Sequence, residues 1–499
     1  MSLSEKMVIS IPPPARCAPG PISPSGTTLV DLEKEIAQIL SEKAASDLEA
    51  QTSSKKPNRL ATVRYLILNI YRRLFSLVFL ANIAMFIYVL ATPDQKLLAL
   101  VNATAANVLA CGLARQPLVV NAIFVIVCSI PRSAPLRLRR IAAKVYHYGG
   151  VHSGCGIASC VWYVGFVGLL SKQYWTPGPA PSAAASFSVL PIVLAYLILV
   201  LLLAIIAVAH PTFRSKRHDS FELTHRFSAW LVVILFVILL LVFADETSRA
   251  TAQSLGSFLT HLPAFWFLLL TVLAILHPWL LLRKVPVRAE PLSPHAVRLH
   301  MSHATTTFGK GIQLAKHPLR DWHGFATFPD PLPAPGPTTT TTTPTFSSLI
   351  SKAGDWTSAT IKSPPPHLWK RGVLVYGFAY AMRVFRRLIV VTTGSGIGPC
   401  LSFLGDDHRP ALRVLWQTRA PLRTYGPAIL SLVKTLDRDP LVIDTNSSGR
   451  VDMVPEIRRL YAEFGAEAVC VISNPVVTKR VVFELEKGGI PAFGPIFDS

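Results

Sequence analysis

The sequence predicts a membrane-embedded bundle of about six α-helices, followed by a small β-barrel and then a doubly wound α/β domain of the nucleotide-binding kind. Three observations lead there. Of the 499 residues, 51% are hydrophobic and only 15% are charged, well below the roughly one quarter charged that soluble domains carry. The apolar residues gather in long runs between residues 74 and 283, and the mean hydropathy of the whole chain is +0.42. Beyond Phe385, short apolar runs alternate with stretches of helical period, and one run opens into a Gly-rich turn, the pattern of buried parallel strands with crossover helices.

Residues 1–60 begin with a Pro-rich stretch. A segment from Leu29 to Leu48 then places Leu32, Ile36, Leu40 and Leu48 at helical spacing among acidic side chains. This predicts a flexible cytosolic tail carrying one amphipathic helix. No short apolar core follows a charged start, so the first span is expected to serve as its own membrane signal.

Residues 61–284 form the predicted membrane domain, with apolar stretches near 74–91, 105–130, 144–170, 186–210, 221–243 and 262–282. Each is long enough to cross about 30 Å of hydrocarbon. Arg115 and Pro117 interrupt the second. Arg59, Arg64, Arg72 and Arg73 precede the first span, and Arg132, Arg137, Arg139 and Arg140 separate the second from the third. Arg214, Lys216 and Arg217 separate the fourth from the fifth, and Arg283 and Lys284 follow the sixth. Every second loop is thus basic, which predicts cytosolic termini and a plasma-membrane protein. The net charge of +21 therefore faces the lipid bilayer and not nucleic acid, for which no aromatic-interleaved basic stripe is present. Seven cysteines with no CxxC spacing exclude a disulfide scaffold.

Residues 285–385 alternate apolar and polar side chains with many Pro and Gly, as a small β-barrel requires. The run Thr338 to Thr343, flanked by prolines, is expected to loop out of it. Residues 386–499 carry apolar runs at 388–393, 412–417, 441–444 and 468–473, with Val454 to Phe464 among the helical stretches.

Leu388 to Thr393 enters the turn Gly394-Ser-Gly396-Ile-Gly398-Pro399. Missing side chains there allow backbone amides to approach a pyrophosphate at the start of a helix. A tight strand-to-helix turn without a ligand is the plainer reading of such glycines. The turn resembles the GxGxGP element of the ferredoxin-NADP reductase superfamily, and the resemblance implies an NADPH-binding domain. It further implies that Thr418 and Arg419, with Arg423, meet the adenosine ribose or its 2′-phosphate. Arg450, within Ser448-Gly-Arg-Val-Asp452, then stands at a later Gly-Arg-Pro-like element, and Asn474 and Pro475 stand at the nicotinamide loop. Cys470 is given no part in hydride transfer.

Upstream, Asp321-Trp322-His323-Gly324-Phe325-Ala326-Thr327 resembles the flavin-binding motif of ferric reductases and NADPH oxidases. Gly324 replaces its proline, and Ala326 replaces the residue whose hydroxyl bonds the flavin ring, with Thr327 next in line. Gly354-Asp355-Trp356-Thr357 resembles a second segment of the same proteins. Trp322, His323, Phe325 and Thr327 are thereby implied to hold FAD.

Five histidines, His147, His152, His210, His225 and His277, fall near one end of the apolar spans, where ionisable residues are costly and often functional. Each taken singly also reads as a helix cap or a satisfied polar contact. The segment Arg214 to His225 resembles the start of the fifth helix of the ferric reductase membrane domain. That resemblance implies haem b on His225, with His152 or alternatively His147 as the opposite ligand. Further along these helices stand Gly165, Phe166, Ile238 and Leu239, so a second haem has no histidines. Residues 60–499 most resemble the fungal TmpA-like integral membrane proteins, a divergent branch of that superfamily. The implied activity carries electrons from NADPH through FAD to an unknown acceptor in the membrane or its inner leaflet, in fungal metabolism or developmental signalling. Two alternatives stand beside it: a nucleotide-sensing membrane protein without turnover, and a metal site on His152, His210, His225 and His277.

Overall fold

The computed structural model describes residue 63 and residues 67–92, 96–176, 188–331 and 345–496. The amphipathic helix expected within 29–48, the threonine run and both chain ends lie outside these residues. From the N-terminal side the helices are α1 (Ile70–Ala91), α2 (Lys96–Leu113), α3 (Pro117–Cys128), α4 (Leu136–Ala142), α5 (Gly149–Trp175), α6 (Val189–Ala209), α7 (His218–Ala250) and α8 (Pro263–Leu280). Among the described residues, six are long and apolar enough to cross a membrane: α1, α2, α5 with the turn before it, α6, α7 and α8. Inside the bundle, Asn82 accepts hydrogen bonds from the Asn107 amide at 2.8 Å and the Trp162 indole at 2.9 Å. This ties α1, α2 and α5 together through one polar side chain.

The stretch 105–130 is not the single span that its apolarity predicts. The helix ends at Leu113, and the Gln116 side chain caps a new one by accepting from the N–H groups of Leu118 and Val119 at 2.6 and 3.1 Å, with Pro117 in its first turn. The resulting α3 has 12 residues, about 18 Å at 1.5 Å per residue, too short to cross. It instead buries Val120, Phe124 and Cys128 in the core of the C-terminal module. Asn121 fixes its register, donating to the Leu374 carbonyl at 2.9 Å and accepting from the Tyr376 N–H at 2.8 Å.

That module begins with nine strands: β1 (Arg283–Pro286), β2 (Arg288–Ser293), β3 (Ala296–Met301), β4 (Lys310–Ala315), β5 (His323–Ala326), β6 (Phe328–Pro329), β7 (Phe346–Ser351), β8 (His367–Lys370) and β9 (Val375–Tyr376). Helix α9 (Asp355–Lys362) follows β7. Instead of one closed barrel, the strands make two antiparallel sheets. One has the order β1-β8-β4-β5 with β9 on β4, the other β2-β3-β7-β6. Val297, Leu299, Ile312, Leu314, Phe346 and Leu368 share a core drawn from both. The sheets stay separate at the β5–β6 corner, where β6 has two residues, one of them Pro329 without a donor. The Thr327 N–H turns back to the Lys310 carbonyl at 2.9 Å.

The last part holds β10 (Arg387–Thr393), α10 (Ile397–Leu401), β11 (Ala411–Thr418), α11 (Pro421–Leu436), β12 (Leu441–Asp444), α12 (Met453–Phe464), β13 (Ala468–Ile472), α13 (Pro475–Lys487) and β14 (Ala492–Phe493). Its five strands are parallel in the order β12-β11-β10-β13-β14, a doubly wound sheet whose order reverses between β10 and β13. Crevices at such points hold ligands in open α/β sheets.

The loop between α3 and α5 seats this sheet. Arg139, 4% exposed, pairs through both terminal nitrogens with Glu467 at 2.7 and 2.8 Å and also donates to the Val384 carbonyl at 3.1 Å. Arg140 donates to the Glu467 carbonyl at 3.1 Å, and Lys144 faces Glu486 at 3.7 Å. The arginines read from sequence as topogenic are in part a docking surface.

Candidate functional site

The glycines of the nucleotide-type turn have different physical duties. Gly394, at φ 51°, starts the turn in the left-handed region. A Cβ on Gly396 would collide with the Ile472 carbonyl and the Thr392 hydroxyl, so this glycine lets β10 and β13 close up beneath the crevice. A Cβ on Gly398 would stand 3.1 Å from the Leu349 Cβ on β7. Pro399 lies within α10, which packs on β5, β6 and β7. The turn therefore lies directly against the strand that carries the flavin-like motif.

Around the crevice, Thr418 is buried at the end of β11, and Arg419, Arg450, Asn474 and Pro475 are exposed at the ends of successive strands. The loop bearing Arg450 is held to β11 by the Val451 N–H donating to the Gln417 side chain at 2.9 Å. Asn474 caps α13, accepting from the Val477 N–H at 3.0 Å, and Pro475 opens that helix. Asp444, which sequence reasoning passed over, accepts from the Ala420 N–H at 2.8 Å and keeps Ala420 at φ 40° just after Arg419. Cys470 is wholly buried in β13, and burial, then nearby Cys400, push its thiol well above the ordinary range.

In the flavin-like motif, Phe325 stacks on Trp356 of α9 at 5.6 Å between ring centres, and the His323 ring lies 4.6 Å from Trp356. His323 is held by the Asp321 carboxylate at 2.8 Å. The Trp356 indole nitrogen is buried without a partner, an orphaned donor beside the two rings that suits a polar planar ligand. Thr327 behaves differently. It is fully buried, donates to the Lys310 carbonyl at 2.9 Å and is hydrogen-bonded to the Thr306 hydroxyl.

Trp322 points toward the bundle. Its ring lies 6.1 Å from Trp279 of α8, and the Arg371 guanidinium stands 4.5 Å from the Trp322 ring centre and 5.3 Å from that of Trp279. Arg371 is lowered to about 10, by burial first and then by Arg226, with Glu222 opposing. Arg226 of α7 donates to the carbonyls of Leu319 and Arg320 at 3.0 and 2.9 Å, and Glu222 accepts from the Trp322 N–H at 3.3 Å. Glu222 stands one turn before His225 and Arg226 directly follows it, so the helix carrying His225 is pinned to the start of the flavin-like strand. Glu222 lies inside the segment that drew attention to His225. Nothing in the sequence singles out Arg226 or Arg371.

His152 and His225 face each other with 6.2 Å between ring centres and 52° between planes. His152 uses Nδ1 toward the Cys111 carbonyl at 3.0 Å, and His225 Nδ1 is buried without a partner. Two imidazoles sharing one ion at about 2 Å from each nitrogen have ring centres roughly 6 Å apart, so the pair fits a bis-histidine site. His147 instead donates from Nδ1 to the Lys144 carbonyl at 2.9 Å and lies against Tyr146. Gln116 takes His277, at 3.1 Å, and His210 caps α6. Among the described residues no three His, Cys, Asp or Glu side chains gather as a metal site, which removes the four-histidine alternative. Further along α5 and α7, Tyr163 meets Phe236 at 5.8 Å and Phe166 meets Phe243 at 6.2 Å, aromatic packing where a second ligand pair would stand.

Residues 378–499 match the family model described as Adenylate-forming reductase 03009, C-terminal domain. Adenylate-forming reductase 06235 of Coprinopsis cinerea is 39% identical over 458 residues, 91% of this chain and 42% of its own length. Adenylate-forming reductase 03009 of the same fungus is 39% identical over 441 residues, 88% of this chain and 41% of its own length. The chain thus spans about two-fifths of the length of the curated relatives it matches, and the likeness takes in the helical bundle as well as the C-terminal sheets. Among solved structures, the flavohemoglobin of Malassezia yamatoensis is 12% identical with a TM-score of 0.36, over 79% of this chain and 98% of that one. A ferredoxin-NADP+ reductase of Plasmodium falciparum is 13% identical with a TM-score of 0.33, over 44% of this chain and 96% of that one. Likeness of that degree carries neither fold nor function across.

Proposed function

We propose that this chain is a membrane-bound, NADPH-dependent flavin oxidoreductase that delivers electrons to an acceptor in the membrane or at its inner leaflet. The observation that carries the reading is the pinning of the flavin-like strand to the His225 helix through Glu222 and Arg226. The Gly394–Pro399 turn, with Arg419 and Arg450, would hold NADPH at the β10–β13 crevice; Phe325, His323 and Trp356 would flank FAD; His152 and His225 would hold haem b. Bound flavin supplies the conversion of a two-electron hydride donor into a one-electron source. The protein's own part is positional: α10 packs the nucleotide turn on β5, and Arg226 fixes β5 relative to the bundle. The relatives' name, reductase, supports the reaction class. The motif resemblance supports kinship with the TmpA-like branch of the ferric reductase superfamily.

A second reading, nucleotide sensing without turnover, is favoured by one contact. Thr327, the hydroxyl nearest to replacing that lost at Ala326, is already bonded within the protein. An absorption spectrum of the detergent-purified chain, before and after NADPH, separates the two. Flavin absorbance that bleaches with NADPH is expected; NADPH binding without bleaching, whether or not flavin is present, would reject the enzyme in favour of the sensor.

A further inference from the structure

We infer that the cleft between α3 and the C-terminal module holds the phosphate of an anionic phospholipid, with Arg132 and Arg383 as its cationic partners. The cleft has a volume of about 360 Å³, with Val125, Cys128 and Ile130 as an apolar wall and Arg132, Arg383 and His408 as a basic one. It shares no residue with the nucleotide turn, the flavin-like motif or the histidine pair.

Arg132 is preset by its neighbours. Its Nε donates to the Arg383 carbonyl at 2.9 Å and one terminal nitrogen donates to the His408 carbonyl at 2.7 Å. Arg383 lies over the Tyr380 ring at 4.8 Å and is hydrogen-bonded to its hydroxyl. Its facing carboxylate, Asp406, stands 3.9 Å away and is itself engaged by the His408 N–H at 2.8 Å. Arg383 thus meets its carboxylate only at the limit of ion-pair distance, and among the described residues the lining of the cleft holds two guanidiniums and no carboxylate, an excess of positive charge. The Arg132 guanidinium is lowered, first by burial, with Asp406 opposing and Arg383 adding to the shift. A phosphate, with oxygens for two arginines, balances that arrangement.

The source of the phosphate follows from where the cleft lies. Residues 117–142 connect two helices long enough to cross the membrane, α2 ending at Leu113 and the next starting at Val145. Between them Ile126 is 71% exposed, Leu138 51% and Ile141 69%. Short helices that dock one face on protein and leave large aliphatics beside arginines belong at the headgroup level of a bilayer. The aliphatic wall of the cleft then suits the glycerol and upper acyl part of a lipid, which a free phosphate ester lacks.

The test uses the full chain, stripped of lipid in detergent and exchanged into mixed micelles. Native mass spectrometry then counts retained phosphatidic acid and phosphatidylcholine. Phosphatidic acid is expected at one per chain, in preference to phosphatidylcholine. Arg383→Gln should lower its affinity roughly fivefold, as for one arginine at an anionic surface. Val125→Trp, which fills the apolar wall and keeps both arginines, should lower it as well, whereas exposed Arg137→Gln should not. Both test variants spare the two backbone contacts of Arg132, so loss of fold does not mimic loss of binding. Equal retention of the two lipids, or undiminished retention by both variants, overturns the proposal. Displacement by an equal concentration of glycerol 3-phosphate overturns the lipid assignment in favour of a soluble phosphate ester.

Discussion

Gly396 shows how one missing side chain can serve two purposes. It was read from sequence as room for a pyrophosphate, yet its Cβ position points into the Ile472 carbonyl and the Thr392 hydroxyl. Substitution would first force β10 and β13 apart and only then disturb a ligand. Gly396→Ala is therefore expected to cost roughly 2 kcal/mol of stability, as overpacking does, and to weaken NADPH and NADH alike, measured by thermal unfolding and nucleotide titration. Arg419→Ala should behave in the opposite way. Its side chain is exposed at the end of β11, so stability should be unchanged, while NADPH should weaken more than NADH because only NADPH offers a 2′-phosphate for bidentate contact. Equal weakening of both nucleotides by Arg419→Ala would remove that residue from the proposed site.

At the level of elements, the parallel strands were legible because most are short, largely apolar runs, such as Leu388 to Val391, followed by turn residues. The six long helices were legible for the same reason of composition. Of helix α3 only the interruption at Arg115 and Pro117 was legible, since Val119 to Cys128 is as apolar as a span; the Gln116 cap and the contacts with the C-terminal module reveal that it packs on protein. Nor does any local signal disclose that Arg139 meets Glu467, a partner 328 positions away. Burial alone would raise the Glu467 carboxyl, but hydrogen bonds from Arg139 and the Arg386 N–H outweigh it and hold the group below the usual carboxylate range. A group depressed in the folded state contributes stability that is complete above the ordinary carboxylate pKa and is lost as pH falls through the depressed value. Docking of the parallel sheet should consequently loosen on acidification below the ordinary carboxylate range. Glu467→Gln, which leaves Arg139 buried without its counter-charge, should cost about 3 kcal/mol at neutral pH and flatten the acid limb of that profile. Limited proteolysis as a function of pH, comparing the two proteins, reads both effects, and an unchanged acid limb in Glu467→Gln would dismiss the pair as the docking determinant.

Across the whole molecule, two latches align the three candidate sites. Arg139 and Arg140 seat the nucleotide sheet on the loop before α5, the helix of His152, and Arg226 ties the flavin-like strand to α7, the helix of His225. Each histidine is thereby fixed to a different part of the module through its own helix, and the two rings meet at 6.2 Å. If that pair holds one haem b, His152→Ala and His225→Ala should each abolish the whole haem absorption, because a single imidazole does not keep a six-coordinate low-spin iron. His277→Ala should leave it intact, since that ring is engaged by Gln116. The haem-to-protein ratio should be one, because Tyr163, Phe166, Phe236 and Phe243 occupy the seam further along the same helices, and reduction of acceptors on the far side of the membrane should be weak. Spectra of the three variants, reduced with dithionite and set against flavin content, decide the matter. A protein that carries flavin but no Soret band sinks the haem assignment and moves the acceptor to the flavin itself. Robust reduction across the membrane would instead require an electron path through that aromatic seam.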